Sequence, residues 1–356
     1  MNEQNSASFA RRHAKALAAS VALTLGFGWV MRKGALPLVP PEGALARVDA
    51  QLTMVFVLLM LVSMLSKYGR YYFLIAPITP LSLRRVLSIS GVAMALVTLL
   101  PFRLGEFARP AMLRERGKVS GWAVTGTVGA ERIIDGVAFG LTLLLGLVFA
   151  PPISPLPDKI GDLPVPAALV PRAAMLATLG FTVALIVMAI FYRWREAARR
   201  LTEKTLGKIS PRFGTRIADI ISYMSDGFKF LTNPRYTIPY LLVTVVCVVS
   251  HVWAILVLAR AVGIPSLTFA QSAVVVGVLA LGFALPNAPG FFGAVQLALY
   301  ASLVLYLVPS QVTDAGAALV FIFYLSYIGI VLGLGVLGLL VEYFAGGNNT
   351  NQAPSV

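Results

Sequence analysis

Charge is scarce in this chain. Of its 356 residues only 12% are Asp, Glu, Lys or Arg, about half the share in a soluble globular domain. Cysteine is scarcer still. Cys247 stands alone, which excludes an internal disulfide and a thiolate-rich metal site. The two histidines, His13 and His251, lie far apart, and no Cys/His group has the spacing of metal ligands. A lone histidine in an apolar run reads first as a helix–helix hydrogen-bond partner. Nucleotide and acyl-transfer motifs are missing too: there is no P-loop, no GxGxxG behind a strand, no GxSxG and no HExxH. We therefore expect no enzyme activity, no cofactor and no metal.

What is present is apolar length. Hydrophobic residues make up 58% of the chain, and runs near 20 residues recur from end to end, which defines an all-α polytopic membrane protein. Full spans are expected at about 14–33, 52–77, 121–150, 172–193, 236–261 and 315–342. Two pairs of shorter segments remain, 86–101 with 104–116 and 268–285 with 290–308. The N-terminus resembles a signal peptide, with Arg11, Arg12 and Lys15 before an apolar run to Val30. The run is long and lacks an A-x-A site, so it reads as an uncleaved first span. The net charge of +14 clusters at span ends, where topology requires it. That distribution speaks against nucleic acid.

Lys and Arg also set the orientation. Ten of them fall in 193–235, which places this segment in the cytoplasm together with the basic N-terminus and the Lys67–Arg85 region. Loops 34–51 and 151–171 then lie outside, and the C-terminus comes out cytoplasmic. Tyr71, Tyr72 and Trp122 near span ends read as interfacial anchors. Within 194–235 a helical stripe of Leu206, Ile209, Phe213, Ile217, Ile220, Met224, Phe228 and Leu231 alternates with basic residues. It fits either a helix on an anionic inner leaflet or an extension packed on its own protein.

A repeat is hidden in the order of elements. Residues 1–150 read span, span, broken pair, span, and 151–356 repeat that order from the opposite side. Pro101 to Gly105 and Pro286 to Gly290 share the spacing Pro-x-x-x-Gly, and Pro289 lies inside the second break. Inverted repeats with broken helices in corresponding places mark transporters whose site lies near the midplane. Each arm of about 15 residues reaches about 22 Å as helix, short of a ~30 Å hydrocarbon core. We expect re-entrant hairpins at about 86–116 and 268–308, with tips lining a cavity.

The charges sit at the first tip. Arg103, Glu106 and Arg109 recur at i, i+3 and i+6 on the returning arm, and Glu131, Arg132 and Asp135 follow in the next span. Glu131 lies about 15 Å along that helix from Gly121. A charge at the bilayer centre costs about 2.5–3.5 kcal/mol even on the lenient scale, so these six are expected to face protein. Two readings stay open, and both can hold. One is an ion-pair lock between hairpin and span. The other is a polar cavity where guanidinium forks hold the phosphate of a lipid headgroup and the carboxylates orient them or take up a proton. The second half is less charged, and Asn287, Gln296 and Gln271 are its polar side chains near the break.

The motifs P-x-R-x-G-E-x-x-R at Pro101, Arg103, Gly105, Glu106 and Arg109, then E-R-x-x-D at Glu131, Arg132 and Asp135, are unusual in apolar context. With P-x-x-P-G-x-x-G at Pro286, Pro289, Gly290 and Gly293, they resemble the lysylphosphatidylglycerol synthase transmembrane-region family of flippase-like proteins. The resemblance spans about 14–342. It implies lipid translocation between leaflets, or a membrane platform for lipid modification, in the bacterial inner membrane. This chain has Gln296 where the family commonly carries Glu. The family's soluble aminoacyl-transferase domain does not follow, so its enzymatic activity is not carried over. The expected function is a flippase-like carrier of an anionic phospholipid or polyprenyl or hopanoid-type lipid, with Arg103, Glu106, Arg109, Glu131, Arg132, Asp135, Asn287 and Gln296 at its site. The alternative is a non-transporting scaffold that holds a lipid-pathway enzyme through 193–235. An intramembrane transferase using Glu131 or Asp135 as base lacks a visible nucleophile.

Overall fold

A computed structural model describes residues 21–117, 119–155, 159–163, 168–194, 196, 227–284 and 288–349. Among them every regular element is helical. Residues 21–33 form α1. Asp49 caps α2 (Ala50–Gly69) by accepting from Leu52 N at 2.9 Å. Helix α3 (Tyr71–Ile75) continues it past Arg70, whose backbone stays helical. Then come α4 (Leu83–Leu99), a 3-10 turn (Pro101–Phe107), α5 (Ala108–Gly117), α6 (Gly121–Phe149) and α7 (Leu169–Arg193). After a 3-10 turn at Lys229–Thr232 follow α8 (Pro234–Ala261), α9 (Phe269–Ala284), a 3-10 turn (Pro289–Phe291), α10 (Ala294–Leu303), α11 (Pro309–Thr313) and α12 (Ala315–Asn349).

Among the described residues five segments are long and apolar enough to cross a membrane: Ala50–Ile75, Gly121–Phe149, Leu169–Ile190, Pro234–Ala261 and Pro309–Phe344. They coincide with five of the six expected spans. Residues 14–20 of the expected span 14–33 lie outside the described residues, as does most of the basic stripe in 194–235. Chain ends sort onto two faces. On one face Asp162 N donates to Gly34 O at 2.8 Å, Tyr300 Oη to Pro37 O at 2.6 Å, Tyr306 Oη to Ala150 O at 2.8 Å, and Arg47 pairs with Asp314 at 2.7 Å. The loops expected outside, 34–51 and 151–171, therefore share this face with the ends of α6, α8 and α10. The starts of α4, α6 and α8 lie at the other.

The two short pairs enter from opposite faces and meet. Helix α4 begins at the face where α3 ends, and α5 returns to it. Helix α9 begins beside the end of α8, and α10 returns to the face of Ala150. Glycine allows both folds. A Cβ at Gly105 would lie 2.1 Å from Val97 N and 2.5 Å from Leu96 O, so only a bare Cα lets the returning arm press on the backbone of α4. At Gly282 a Cβ would stand 2.6 Å from that of Ala298. Both tips open on a proline and turn left-handed two residues on, at Arg103 (φ 58°) after Pro101 and Phe291 (φ 56°) after Pro289. The structural partner of the Pro101 turn is thus the Pro289 turn, three residues past Pro286, which lies outside the described residues.

Small residues close the helix seams, as in membrane packing where lipid offers no hydrophobic drive between helices. Gly91 of α4 faces Leu334 O of α12, and Gly338 of α12 faces Ser88 O of α4. Gly136 and Gly140 of α6 receive Phe181 and Thr178 of α7. The buried apolar side chains form two clusters. One gathers Met64, Met94, Leu143 and Val252, and the other Tyr71, Ile89, Ile134 and Tyr240. Helices α2–α3, α4, α6 and α8 pass from one cluster to the other, and the charged residues lie at that boundary.

Candidate functional site

The left-handed backbone at Arg103 costs energy for a side chain with a Cβ. It aims the guanidinium across the tips. Arg103 Nη1 donates to Phe283 O, in the last turn of α9, where helix carbonyls lack partners and attract cations. Arg103 Nη2 also lies 2.6 Å from Glu106 Oε1. One side chain thus binds the two hairpins together.

From Glu106 the charges run inward. Arg132 Nε stands 3.4 Å from Glu106 Oε1, and Arg132 Nη1 stands 3.9 Å from Asp135 Oδ2. Arg70 Nη2 donates to Asp135 Oδ1 and lies 3.5 Å from Glu131 Oε1. Arg109 Nη1 donates to Glu131 Oε2 at 2.5 Å. The Arg109 guanidinium rests 4.1 Å over the Tyr71 ring, and Tyr71 Oη meets Thr127 Oγ1 at 2.7 Å. Arg70 Nη1 donates to Thr244 Oγ1 at 3.1 Å and its guanidinium lies over Tyr240. Four arginines and three carboxylates alternate in one network.

The network has a sealed end and an open end. The side chains of Arg70 and Glu131 are 1% exposed and that of Arg109 is 5%. Those of Arg103, Glu106 and Arg132 are 20–27% exposed, and they face a cavity. Its volume is about 340 Å³, at the low end for ligand sites. Lys67, Arg103, Glu106, Arg132 and Asp135 line one end. Along α6, α7 and α9 towards the face of Ala150 the lining becomes Leu143, Ala174, Ala177, Val276 and Gly277. Arg132 makes no hydrogen bond with any described residue, and its Nε is among the unsatisfied buried donors. A guanidinium held only at 3.4 and 3.9 Å keeps its N–H groups free for an anion.

Of the residues expected at the site, Arg103, Glu106, Arg132 and Asp135 line the cavity. Arg109 and Glu131 form a sealed pair behind them. Gln296 lies apart: its Oε1 accepts from Gly293 N at 2.8 Å and completes a cap on α10. Gln271 forms a capping box with Thr268 at the far end of α9. Asn287 and Pro286 lie outside the described residues. Tyr71, expected at the interface, is instead buried under Arg109, whose guanidinium is attracted to the face of its ring. The sequence reading missed Arg70 and Lys67. Topology alone explains both as the basic end of a span, although they fall inside 52–77, spaced i, i+3 with Ser63 one turn earlier.

Helices of membrane-crossing length, opposed hairpins and a charged pocket between them define a multi-pass α-helical membrane protein with an internal polar site. The sequence profile described as lysylphosphatidylglycerol synthase TM region matches residues 9–333, and the chain belongs to that family. The family ties it to membrane lipid handling. Neither a curated protein nor a solved structure matches it.

Proposed function

We propose that this protein carries an anionic, phosphate-bearing lipid between the leaflets of the bacterial inner membrane, without making or breaking a covalent bond. The observation that carries the reading is the amphipathic cavity between the hairpin tips. Its charged end offers Arg132, loosely held, and Arg103, while its other end is apolar. About 340 Å³ accommodates a headgroup and the first part of a chain, so the tails stay in lipid. The carboxylates Glu106 and Asp135 keep the arginines in place and give way when phosphate arrives, because a phosphate oxygen offers the same bidentate geometry. We read the halves 1–150 and 151–356 as inverted repeats that rock about this site, with both termini in the cytoplasm.

The test is transbilayer movement of a fluorescent phosphatidylglycerol in vesicles holding the purified protein. Arg132→Gln removes no hydrogen bond between described residues, so folding should persist. We expect its rate, and that of Arg103→Ala, to fall at least about tenfold. Wild-type movement by folded Arg132→Gln and Arg103→Ala proteins would remove the cavity from the mechanism.

A further inference from the structure

Each arginine of the network lies within ion-pair distance of a carboxylate, but the cavity holds a cation that does not. Lys67 lines the charged end from α2. It forms no ion pair or hydrogen bond with any described residue. Asp135, a carboxylate on the same lining, is taken by Arg70 and flanked by Arg132. An ammonium inside a membrane protein without a partner is costly, and lysine presents its charge as a mobile point with three donors.

The wall that carries Lys67 holds a second unmatched group. Helices α2 and α8 run antiparallel, since Asp49 N bonds Ala261 O and Ser63 Oγ donates to Cys247 O at 3.0 Å. Lys67 lies one turn from Ser63 towards the charged end. His251 lies one turn from Cys247 the other way, on the cavity wall. His251 is 6% exposed, its ring stacks on Phe323 at 6.0 Å, and its Nε2 has no hydrogen-bond partner. A buried polar atom without a partner needs a physical reason. Ser63 and Cys247 satisfy one another between the two.

We propose that Lys67 is the cation that seats the anionic group of the lipid, and that His251 Nε2 meets a second polar group of the same molecule further along the α2–α8 wall. This rests on the lipid-carrier reading and assigns its ligand: an amphiphile with an acidic group and, towards its chain, a hydroxyl or ester. Lys67 supplies charge recognition. His251 supplies a hydrogen bond that does not depend on ligand charge. The arginines, already neutralised, shape the pocket and take up phosphate oxygens once the lysine has drawn it in.

Binding of short-chain dihexanoyl phosphatidylglycerol and dihexanoyl phosphatidylcholine to the purified full chain in neutral detergent tests this. Wild-type protein should prefer the anionic lipid by about tenfold or more. Lys67→Met and Lys67→Gln should each lose that preference while holding phosphatidylcholine within about twofold, and Lys67→Arg should restore most of it. His251→Phe keeps the stack on Phe323 and should weaken both lipids by a similar factor. A preference kept by both uncharged variants at position 67, with Arg132→Gln abolishing it, would overturn the role of Lys67 and leave the carrier reading standing. A wild-type protein with no preference would overturn both. Unchanged affinity in folded His251→Phe would strike out the second contact.

Discussion

Glu131 is the most enclosed carboxylate of the network, and it holds Arg109 and Arg70 at once. Removing one partner of a buried pair leaves an uncompensated charge and costs about 3–5 kcal/mol. Glu131→Ala should therefore lower the thermal unfolding midpoint sharply in detergent, or fail to yield folded protein. Glu106→Gln is the contrast. Its side chain is 26% exposed to the cavity, so the expected loss is within about 1 kcal/mol, with the defect appearing in lipid movement instead. The two readings of the charge cluster thus divide by depth. The lock is Arg109, Glu131 and Arg70; the cavity side is Arg103, Glu106, Arg132 and Asp135. Sequence spacing identified six members of this set because charge in an apolar run is conspicuous. It could not rank them by depth, since helical spacing fixes a face and not what covers it. Arg70 escaped because a basic residue near a span end has an ordinary explanation in topology.

At the element scale, prolines and short apolar arms lead the sequence reading to two broken pairs, and among the described residues α4 and α5 are joined by one 3-10 turn while another lies between α9 and α10. The contact that folds the first is visible only in three dimensions. Gly105 presses on the α4 backbone at Leu96 and Val97, so Gly105→Val should force the arms apart and cost about 3 kcal/mol or more. Loss of the monodisperse peak in size-exclusion chromatography would report it. The seam between α6 and α7 is less strict. Gly140 meets the side chain of Thr178 there, beside the apolar end of the cavity. Gly140→Leu should keep a folded protein and still reduce lipid binding, because the larger side chain displaces α7 or fills the pocket. Binding and unfolding measured on the same sample separate these effects. The sequence match placed Pro101 on Pro286. The 3-10 turns match Pro101 with Pro289, because identical spacing of proline and glycine does not specify which residue turns left-handed.

Across the whole molecule, two apolar clusters meet at a charged layer, and the loops around Gly34, Arg47 and Ala150 converge on one face. If the basic segments mark the cytoplasm, Glu42→Cys in a Cys247→Ser background should react with an impermeant thiol reagent in intact cells. Arg84→Cys should react only after the membrane is opened. The reverse pattern would invert the orientation. Composition and the length of the apolar runs determined the class and the spans, because a bilayer demands about 20 apolar residues per crossing. The broken helices and the unusual charges were also legible, since each violates the pattern around it. What only the tertiary structure decided is the partnership of those charges: that Arg103 ties one hairpin to the other through Phe283 O, that Arg70 joins from a distant helix, and that Lys67 is left facing the cavity. Those contacts join positions far apart in the chain, and hydropathy along one helix carries no information about which side chains another helix brings to meet it.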